Sequence, residues 1–244
     1  MQQRADFPYY AGEPVAISSG GWMLVLAAVV VAFLQLVFWP WQTTPLNFGA
    51  AILFTGLPLV ALMAVSGWHS PALFGPVTWR VVALGLGFGV LTLVISAGAG
   101  IAVSQLYGAN PNAATEGIDS MSMGELLLFL ARTFIQLIGE EVVSILPLLA
   151  VLWFSVSKLG LSRRNGIIAG VVVSTLWFSA MHLPTYGWNF VQCLGIIGTA
   201  RVVMTVAYLV TRNIWVSTIA HIFNDWTLFL LSFGLGHMPI GMDG

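Results

Sequence analysis

The amino-acid sequence predicts an all-α membrane protein, a polytopic bundle of about seven transmembrane helices (six to eight) around an intramembrane polar cavity. Two observations predict this fold. Of the 244 residues, 58% are hydrophobic and only 7% are charged, whereas about a quarter of the residues in an ordinary soluble domain are charged. The apolar residues also form long stretches, and in the C-terminal half of the chain a few ionisable residues interrupt these stretches.

Each apolar stretch is long enough for a transmembrane helix, because about 20 largely apolar residues cross the hydrocarbon core of a bilayer. We place the spans at residues 22–39, 48–66, 80–104, 126–154, 166–183, 189–210 and 214–233. The first is too long for the apolar core of a cleaved signal peptide, about 7–15 residues, so we expect it to be retained. The fourth is longer than a span needs, and Pro147 is expected to kink it.

The chain is expected to form one domain. A polar N-terminal segment, residues 1–21, precedes a single transmembrane domain at residues 22–233, and residues 234–244 form a C-terminal tail. The polar residues that could carry chemistry lie in a core at residues 126–233. In the third span, glycines recur at positions 85, 87 and 89, and small residues of this kind let neighbouring helices approach closely.

The cationic residues indicate how the chain crosses the membrane, because cytoplasmic loops carry an excess of Lys and Arg. Six of them fall in or beside alternate connections: Arg4, Arg80, Lys158, Arg163, Arg164 and Arg212. The opposite connections, residues 40–47, 105–125 and 184–188, contain none. We therefore expect a cytoplasmic N-terminus and an external C-terminus, and we expect the membrane to be the cytoplasmic membrane of a bacterium or archaeon.

Several function classes lack their usual sequence signs. A net charge of -1 provides no basic surface for nucleic acid. The one cysteine, Cys193, can form neither an intrachain disulfide nor a cysteine metal cluster. The sequence has no HExxH pair, no GxSxG elbow and no phosphate-binding glycine loop followed by lysine, which are the signs of zinc peptidases, serine hydrolases and P-loop proteins. The function class that remains is catalysis by carboxylate and imidazole side chains.

Glu140 and Glu141 are adjacent in the middle of the fourth span. A carboxylate in hydrocarbon is costly unless it is protonated, paired or placed in a polar cavity, so such residues usually mark a functional site. Neighbouring residues on a helix are about 100° apart, so only one of the two can point squarely into a shared cavity. One is expected to be a general base. The alternative is a structural pair that Arg132, Arg201 or backbone carbonyls satisfy.

Three more ionisable residues lie in later spans. His182 follows Phe178 by one turn on the same helix face, and Pro184 ends the helix. Alone, a histidine of this kind is more often a core or interfacial residue than a functional one. His221 and Asp225 are four residues apart and share a face. Asp225 could orient the imidazole, both could bind a metal, or the pair could only fix helix packing.

Three polar residues are expected to support the site. Asn224 lies one position away from the face that His221 presents and is a weaker candidate. Arg132 and Arg201 lie in the fourth and sixth spans and need counter-charges, which the two glutamates would provide.

The order of these residues resembles the motifs of the CAAX-protease and bacteriocin-processing family (CPBP or Abi) of intramembrane endopeptidases, which are usually written EExxxR, FxxxH and HxxxN or HxxxD. The matching residues are Glu140-Glu141, Phe178-x-x-x-His182 and His221-x-x-x-Asp225. Each motif is short, but three in the right order, each in an apolar segment, are fairly specific together. The resemblance covers residues 140–225.

One position departs from the family's pattern. Ile145 stands where the first motif has arginine, so the partner expected to hold the glutamate pair is absent there. Arg201 or Arg132 could replace it, and without a replacement the site would be catalytically impaired.

The resemblance implies a conical, water-filled cavity within a helical membrane fold. It implies that Glu140 is the general base that activates water, that Glu141 supports it, that His182 helps to hold the water, and that His221 with Asp225 stabilises the oxyanion. Members are described both as metalloproteases and as glutamate proteases without a metal. We favour no cofactor, since no spacing here demands zinc. If a divalent metal such as zinc is bound, Glu140, His182 and His221 are its expected ligands.

Two features of this assignment need an explanation. An ionised Asp225 would repel an oxyanion, so we expect it either to be protonated or to act by holding His221 in its donor state. The predicted topology also places His182 towards the outer end of its span, whereas Glu140 and Asp225 lie near mid-membrane. A tilted or shorter fifth helix would bring them to one depth.

The leading hypothesis is an intramembrane endopeptidase that hydrolyses a membrane-associated substrate. Its partners would be a peptide or protein in or at the membrane and the lipid bilayer, with no nucleic acid. Two alternatives remain open. One is a non-proteolytic scaffold or immunity-type protein of the same fold, which the missing arginine motivates, and the other is a proton-coupled transporter, since buried Glu and His residues also form proton relays.

Overall fold

The computed structural model, which describes residues 6–238, confirms the all-α fold. Within that range there is no β-strand, and seven helices are long and apolar enough to cross a membrane. They are α1 (Ser19–Val37), α2 (Asn47–Val65), α3 (Trp79–Tyr107), α4 (Met123–Ser157), α5 (Arg163–Met181), α6 (Phe190–Thr211) and α7 (Ile214–Gly236). The chain is therefore an integral, multi-pass membrane protein.

Side-chain caps define where most of the helices begin. At six N-termini a polar side chain accepts a hydrogen bond from a backbone N–H of the first turn, which otherwise has no partner; these residues are Ser18, Thr78, Ser122, Ser162, Asn189 and Asn213. Helix α4 then runs for 35 residues and passes through Pro147 without a break. It is about 50 Å long, well beyond the roughly 30 Å of a hydrocarbon core.

Helix α4 is the central helix of the bundle. It packs against α2, α5 and α7, and its interface with α5 is especially close. A Cβ atom at Gly170 of α5 would lie 2.8 Å from the Leu148 carbonyl oxygen, and the Ser174 hydroxyl donates to the Ser144 carbonyl at 2.7 Å. These contacts fix how far α5 can slide along α4.

Helix α3 packs against α7 through two of the glycines that the sequence singled out. A Cβ atom at Gly85 would lie 2.6 Å from Ile219, and one at Gly89 would lie 2.7 Å from Phe223. Gly87 faces open space. The expected close approach is therefore confirmed at alternate glycines, which share one face of the helix.

Alternate connections lie at opposite ends of the bundle. At one end, Arg163 pairs with Asp6 at 2.6 Å, and the guanidinium groups of Arg163 and Arg212 lie over the ring of the buried Phe7. At the other end, the α3–α4 connection is joined to the start of α6, because Asn110 and Gln192 exchange two hydrogen bonds of 2.8 and 2.9 Å. Arg4, which contributed to the predicted topology, lies outside the described residues.

Candidate active site

A cavity of about 890 Å³ lies between the helices near the end that carries Asn110. Its walls combine apolar residues of α1 and α2 with most of the polar residues that the sequence singled out: Arg132, Glu140, His182, His221, Asn224 and Asp225. Its volume is typical of ligand-binding sites. This is the intramembrane polar cavity that the sequence predicts.

Glu140, on α4, faces this cavity with its carboxylate between two imidazoles. Its Oε2 atom lies 3.8 Å from His182 Nε2 and 3.6 Å from His221 Nε2. Its Oε1 atom accepts a hydrogen bond of 3.0 Å from Gln136, one turn earlier on the same helix. The side chain is 10% exposed, so the carboxylate is held in place but still reaches the cavity.

Glu141 points away from the cavity and is completely buried. Arg201 of α6 binds it through both carboxylate oxygens, at 2.6 and 3.1 Å, and also donates to Thr205 at 3.1 Å. The guanidinium lies over the ring of Phe178. Arg201 thus supplies the counter-charge that the motif position of Ile145 lacks, and the fully buried Ile145 belongs to the apolar core.

His221, on α7, contacts both glutamates. Its Nδ1 atom lies 2.9 Å from Glu141 Oε1, and because a carboxylate only accepts hydrogen bonds, Nδ1 carries the hydrogen. The other ring nitrogen, Nε2, lies 3.6 Å from Glu140 Oε2 and 3.7 Å from Asp225 Oδ2. Glu141 rather than Asp225 therefore orients this imidazole, since the Asp225 contact is too long for a hydrogen bond.

His182 lies directly after the last residue of α5. Its Nδ1 atom donates to the Phe178 carbonyl at 2.8 Å, and the His182 and Phe178 rings are 4.5 Å apart. This arrangement turns Nε2 towards Glu140. The 3.8 Å distance between His182 Nε2 and Glu140 Oε2 shows that the two residues lie at one depth in the bundle, so the predicted difference in depth is absent.

Asn224 and Asp225 form part of the cavity wall on α7. The Asn224 amide donates to Asp225 Oδ1 at 2.9 Å. Its Oδ1 atom is buried and has no hydrogen-bond partner among residues 6–238. Asn224 therefore lines the cavity, while its carbonyl oxygen is buried without a partner in the described part of the chain.

Arg132 contacts neither glutamate, which corrects the expectation that one of them is its partner. It lies two turns before Glu140 on α4, and Gln136 occupies the position between them. Arg132 donates to Gln136 Oε1 at 3.4 Å and lies over the ring of Phe129. Sequence analysis missed Gln136, although its spacing of four residues from Arg132 and Glu140 within an apolar span was a usable signal.

Tyr186 was also missed, because it lies in a connection rather than in a span. It lines the cavity, and its ring is stacked with the His182 ring at a centroid distance of 6.5 Å. Burial raises the pKa of Tyr186, and the nearby Asp225 carboxylate raises it further. The phenol therefore remains protonated and can donate a hydrogen bond.

The residues expected to bind a metal, if one is present, do come together, since both imidazole Nε2 atoms face Glu140 Oε2. In the part of the chain that the structure describes, however, no group of three His, Cys, Asp or Glu side chains is arranged to hold a metal ion.

Comparison with known families agrees with the resemblance that the three motifs indicate. Residues 122–227 match the family described as "Type II CAAX prenyl endopeptidase Rce1-like". The matched range begins at the N-cap of α4 and ends in α7, so it contains the whole cluster of carboxylates and imidazoles. No curated protein and no solved structure matches the chain.

Proposed function

We propose that this chain, whose residues 122–227 carry the Rce1-like CAAX endopeptidase region, is an intramembrane endopeptidase in which Glu140 activates water. The family match supports protease activity in general. The observation that carries the finer proposal is the position of Glu140, whose carboxylate lies between the Nε2 atoms of His182 and His221 in a cavity among membrane-spanning helices.

In the proposed reaction a water molecule donates one hydrogen bond to Glu140 and one to His182 Nε2. Nε2 is an acceptor because Nδ1 of this ring carries the hydrogen that binds the Phe178 carbonyl. Glu140 takes the proton as the water oxygen attacks the peptide carbonyl, and it returns that proton to the leaving amine. General-base catalysis of this kind accelerates a reaction by about 10²–10⁴-fold.

His221 is the proposed donor to the oxyanion. With Nδ1–H bound to Glu141, protonation of Nε2 gives the ring a second donor that is directed into the cavity. Arg201 fixes Glu141 through both of its oxygens, so the donor is held in position before the reaction begins, and such preorganisation is what makes an oxyanion site effective. Asp225 acts through His221 by keeping that ring in its donor state.

The proposed substrate is a peptide or protein in or at the membrane. Apolar residues of α1 and α2 line the same cavity as Glu140, among them Phe33, Leu36 and Phe54, so an apolar segment can approach the carboxylates without entering bulk water. With the N-terminus in the cytoplasm, the cavity lies near the external end of the bundle.

The scaffold alternative rested on the arginine that is missing at Ile145. Arg201 supplies that charge from α6, so the observation that motivated the alternative no longer favours it.

We propose that the protein has no resident cofactor. The effect of metal chelators on the cleavage rate tests this proposal directly.

The test is cleavage of a fluorogenic peptide library by the purified protein in proteoliposomes, with products identified by mass spectrometry. We expect wild type to cleave a subset of peptides, with no change in EDTA or 1,10-phenanthroline, and His182→Ala to lose the activity. His237→Ala is the matched control, because His237 also ends a helix and contacts the carbonyl of the phenylalanine four residues earlier, yet it lies outside the cavity lining. Equal cleavage by wild type and His182→Ala would overturn the proposal.

A further inference from the structure

We infer that Arg132 determines substrate specificity by binding a carboxylate of the peptide that Glu140 cleaves. This inference rests on the proposed function and deepens it by naming a chemical feature of the substrate.

Arg132 carries a positive charge that the protein does not neutralise. No carboxylate oxygen of residues 6–238 lies within 4.0 Å of its guanidinium, and its contacts are Gln136 and the ring of Phe129. By contrast, Arg201 in the middle of α6 is bound by Glu141 through both oxygens. A charged residue in a span is costly and usually faces a functional cavity, and Arg132 lines the same cavity as Glu140.

The charges in this cavity are separated along its length. Glu140 and Asp225 lie close to the same imidazole of His221, whereas Arg132 lies two turns earlier on α4, and the Gln136 amide lies between its guanidinium and the Glu140 carboxylate. A substrate carboxylate is repelled by the first pair and attracted by Arg132. The charge distribution therefore favours one orientation of the bound peptide, in which its carboxylate lies towards the start of α4.

The guanidinium is also prepared to bind a planar anion. The guanidinium has five N–H donors, and the contact with Gln136 uses one of them. The remaining donors can form a bidentate pair with a carboxylate, with two parallel hydrogen bonds, as is typical of arginine. The wall around it is fixed, because Phe129 packs edge-on against Phe229 at 5.1 Å and Trp226 donates to Thr133 at 3.2 Å.

The carboxylate has two possible sources, the C-terminus of the peptide or an Asp or Glu side chain. A library peptide that wild type cleaves is therefore made in three forms: with a free C-terminal carboxylate, with a C-terminal amide, and as the amide with one added Glu placed at each position in turn. The three forms are compared for wild type, Arg132→Gln and Arg132→Lys. Arg164→Gln is the control, because Arg164 is exposed at the start of α5.

We expect Arg132→Gln to lower kcat/KM by about 10- to 100-fold for the carboxylate-bearing form, as loss of a charge-assisted hydrogen bond implies. The plain amide should be cleaved slowly by wild type, and Arg132→Gln should lower its rate much less than that of the carboxylate-bearing form. Arg132→Lys should be intermediate, and Arg164→Gln should equal wild type. Preference for the free C-terminus or for one Glu position identifies the source of the carboxylate.

Equal rates for all three forms, or an equal effect of Arg132→Gln on each, would overturn the inference while the proposed function stands. Binding of the acid and amide forms, measured by fluorescence anisotropy, tests the inference even if no peptide is cleaved. Equal affinities that Arg132→Gln leaves unchanged would overturn it. A defect of Arg132→Gln that appears in phosphatidylglycerol vesicles but not in phosphatidylcholine vesicles would also overturn it, because the anion would then be a lipid headgroup.

Discussion

At the scale of single residues, the two adjacent glutamates have different environments. Glu140 faces the cavity and the two imidazoles, while Glu141 is buried and binds Arg201 and His221 through a shared oxygen, Oε1. The sequence predicted this divergence, because neighbouring residues on a helix point about 100° apart. It named Arg201 as a candidate partner but did not choose between Arg201 and Arg132.

Arg201→Met is expected to destabilise the protein and to abolish cleavage. Removing one member of a buried ion pair costs about 3–5 kcal/mol because the other charge is left without compensation, and His221 would lose the fixed carboxylate that orients it. The midpoint of thermal unfolding and the cleavage rate measure the two effects. Arg164→Gln, which changes an exposed arginine, should leave both unchanged.

Adding Ile145→Arg to Arg201→Met is expected to restore part of the stability and activity. Position 145 is four residues after Glu141 and therefore on the same face of α4, which is where the family's motif places its arginine. The recovery should be partial, because Ile145 is fully buried and a longer side chain crowds the core. If the double variant is no better than Arg201→Met alone, the two arginine positions are not equivalent.

At the scale of helices, the FxxxH motif has a structural basis that its sequence did not reveal. The chain contains this pattern twice, at Phe178–His182 and at Phe233–His237, and in both the histidine Nδ1 contacts the phenylalanine carbonyl at the end of a helix. The motif therefore orients Nε2, and only its position in the bundle decides what Nε2 faces. Sequence analysis selected the first copy from the order of the motifs, not from its geometry.

Gly170→Ala is expected to lower both the unfolding midpoint and the cleavage rate. The new methyl group would lie 2.8 Å from the Leu148 carbonyl oxygen, so α5 would have to move away from α4 and would carry His182 with it. Gly87→Ala is the matched control, because nothing lies within 4 Å of the corresponding position and alanine favours a helix by up to about 1 kcal/mol over glycine. A normal midpoint for Gly170→Ala would show that this contact does not fix α5.

The extents of the spans were predictable to within a few residues, but the backbone inside one of them was not. Residues 193–197 of α6 form a π-helical turn, where the sequence predicted an ordinary span. Close packing accompanies this turn, since a Cβ atom at Gly195 would lie 2.9 Å from Val103 and one at Gly198 would lie 2.9 Å from Ser179. Contacts of this kind depend on neighbouring helices, so the local sequence does not specify them.

At the scale of the whole molecule, the site joins residues that are 60 and 80 positions apart, as in Glu141 with Arg201 and with His221. Sequence analysis identified these residues because charged groups are rare in apolar spans. It could not identify their pairing, which depends on how α4, α6 and α7 pack together. Gln136 was missed because an uncharged amide in an apolar span is a weaker sign of a functional site than a charged residue is.

The predicted orientation places the end with Arg163 and Arg212 in the cytoplasm. In a Cys193→Ser background, a cysteine at Ala113 should react with an impermeant maleimide added to intact cells, because this position lies in the α3–α4 connection. A cysteine that replaces Arg164 should react only after the membrane has been permeabilised. The reverse pattern would show that the chain is inserted the other way round.

The N-terminal segment is expected to stabilise the bundle in a pH-dependent way. Partial burial tends to raise the pKa of Asp6, but hydrogen bonds from Arg163 and Tyr10 outweigh this effect and lower the pKa to about 2. Because the folded-state pKa is below the unfolded value of about 3.9, the ion pair stabilises the fold above that value and is lost as the pH falls towards 2. Asp6→Asn should therefore lower the unfolding midpoint at neutral pH, and the difference from wild type should shrink in acid; Glu13→Gln is the exposed control. A difference that stays constant to pH 2 would contradict this assignment.

The most direct test of the central claim is the single-turnover cleavage rate of Glu140→Gln on a peptide that wild type cleaves. The glutamine keeps an acceptor for the Gln136 hydrogen bond, so the unfolding midpoint should stay close to that of wild type, but its amide cannot take a proton from water. The account predicts a rate at least about 100-fold lower, in line with the loss of a general base. A folded Glu140→Gln protein that cleaves as fast as wild type would contradict it.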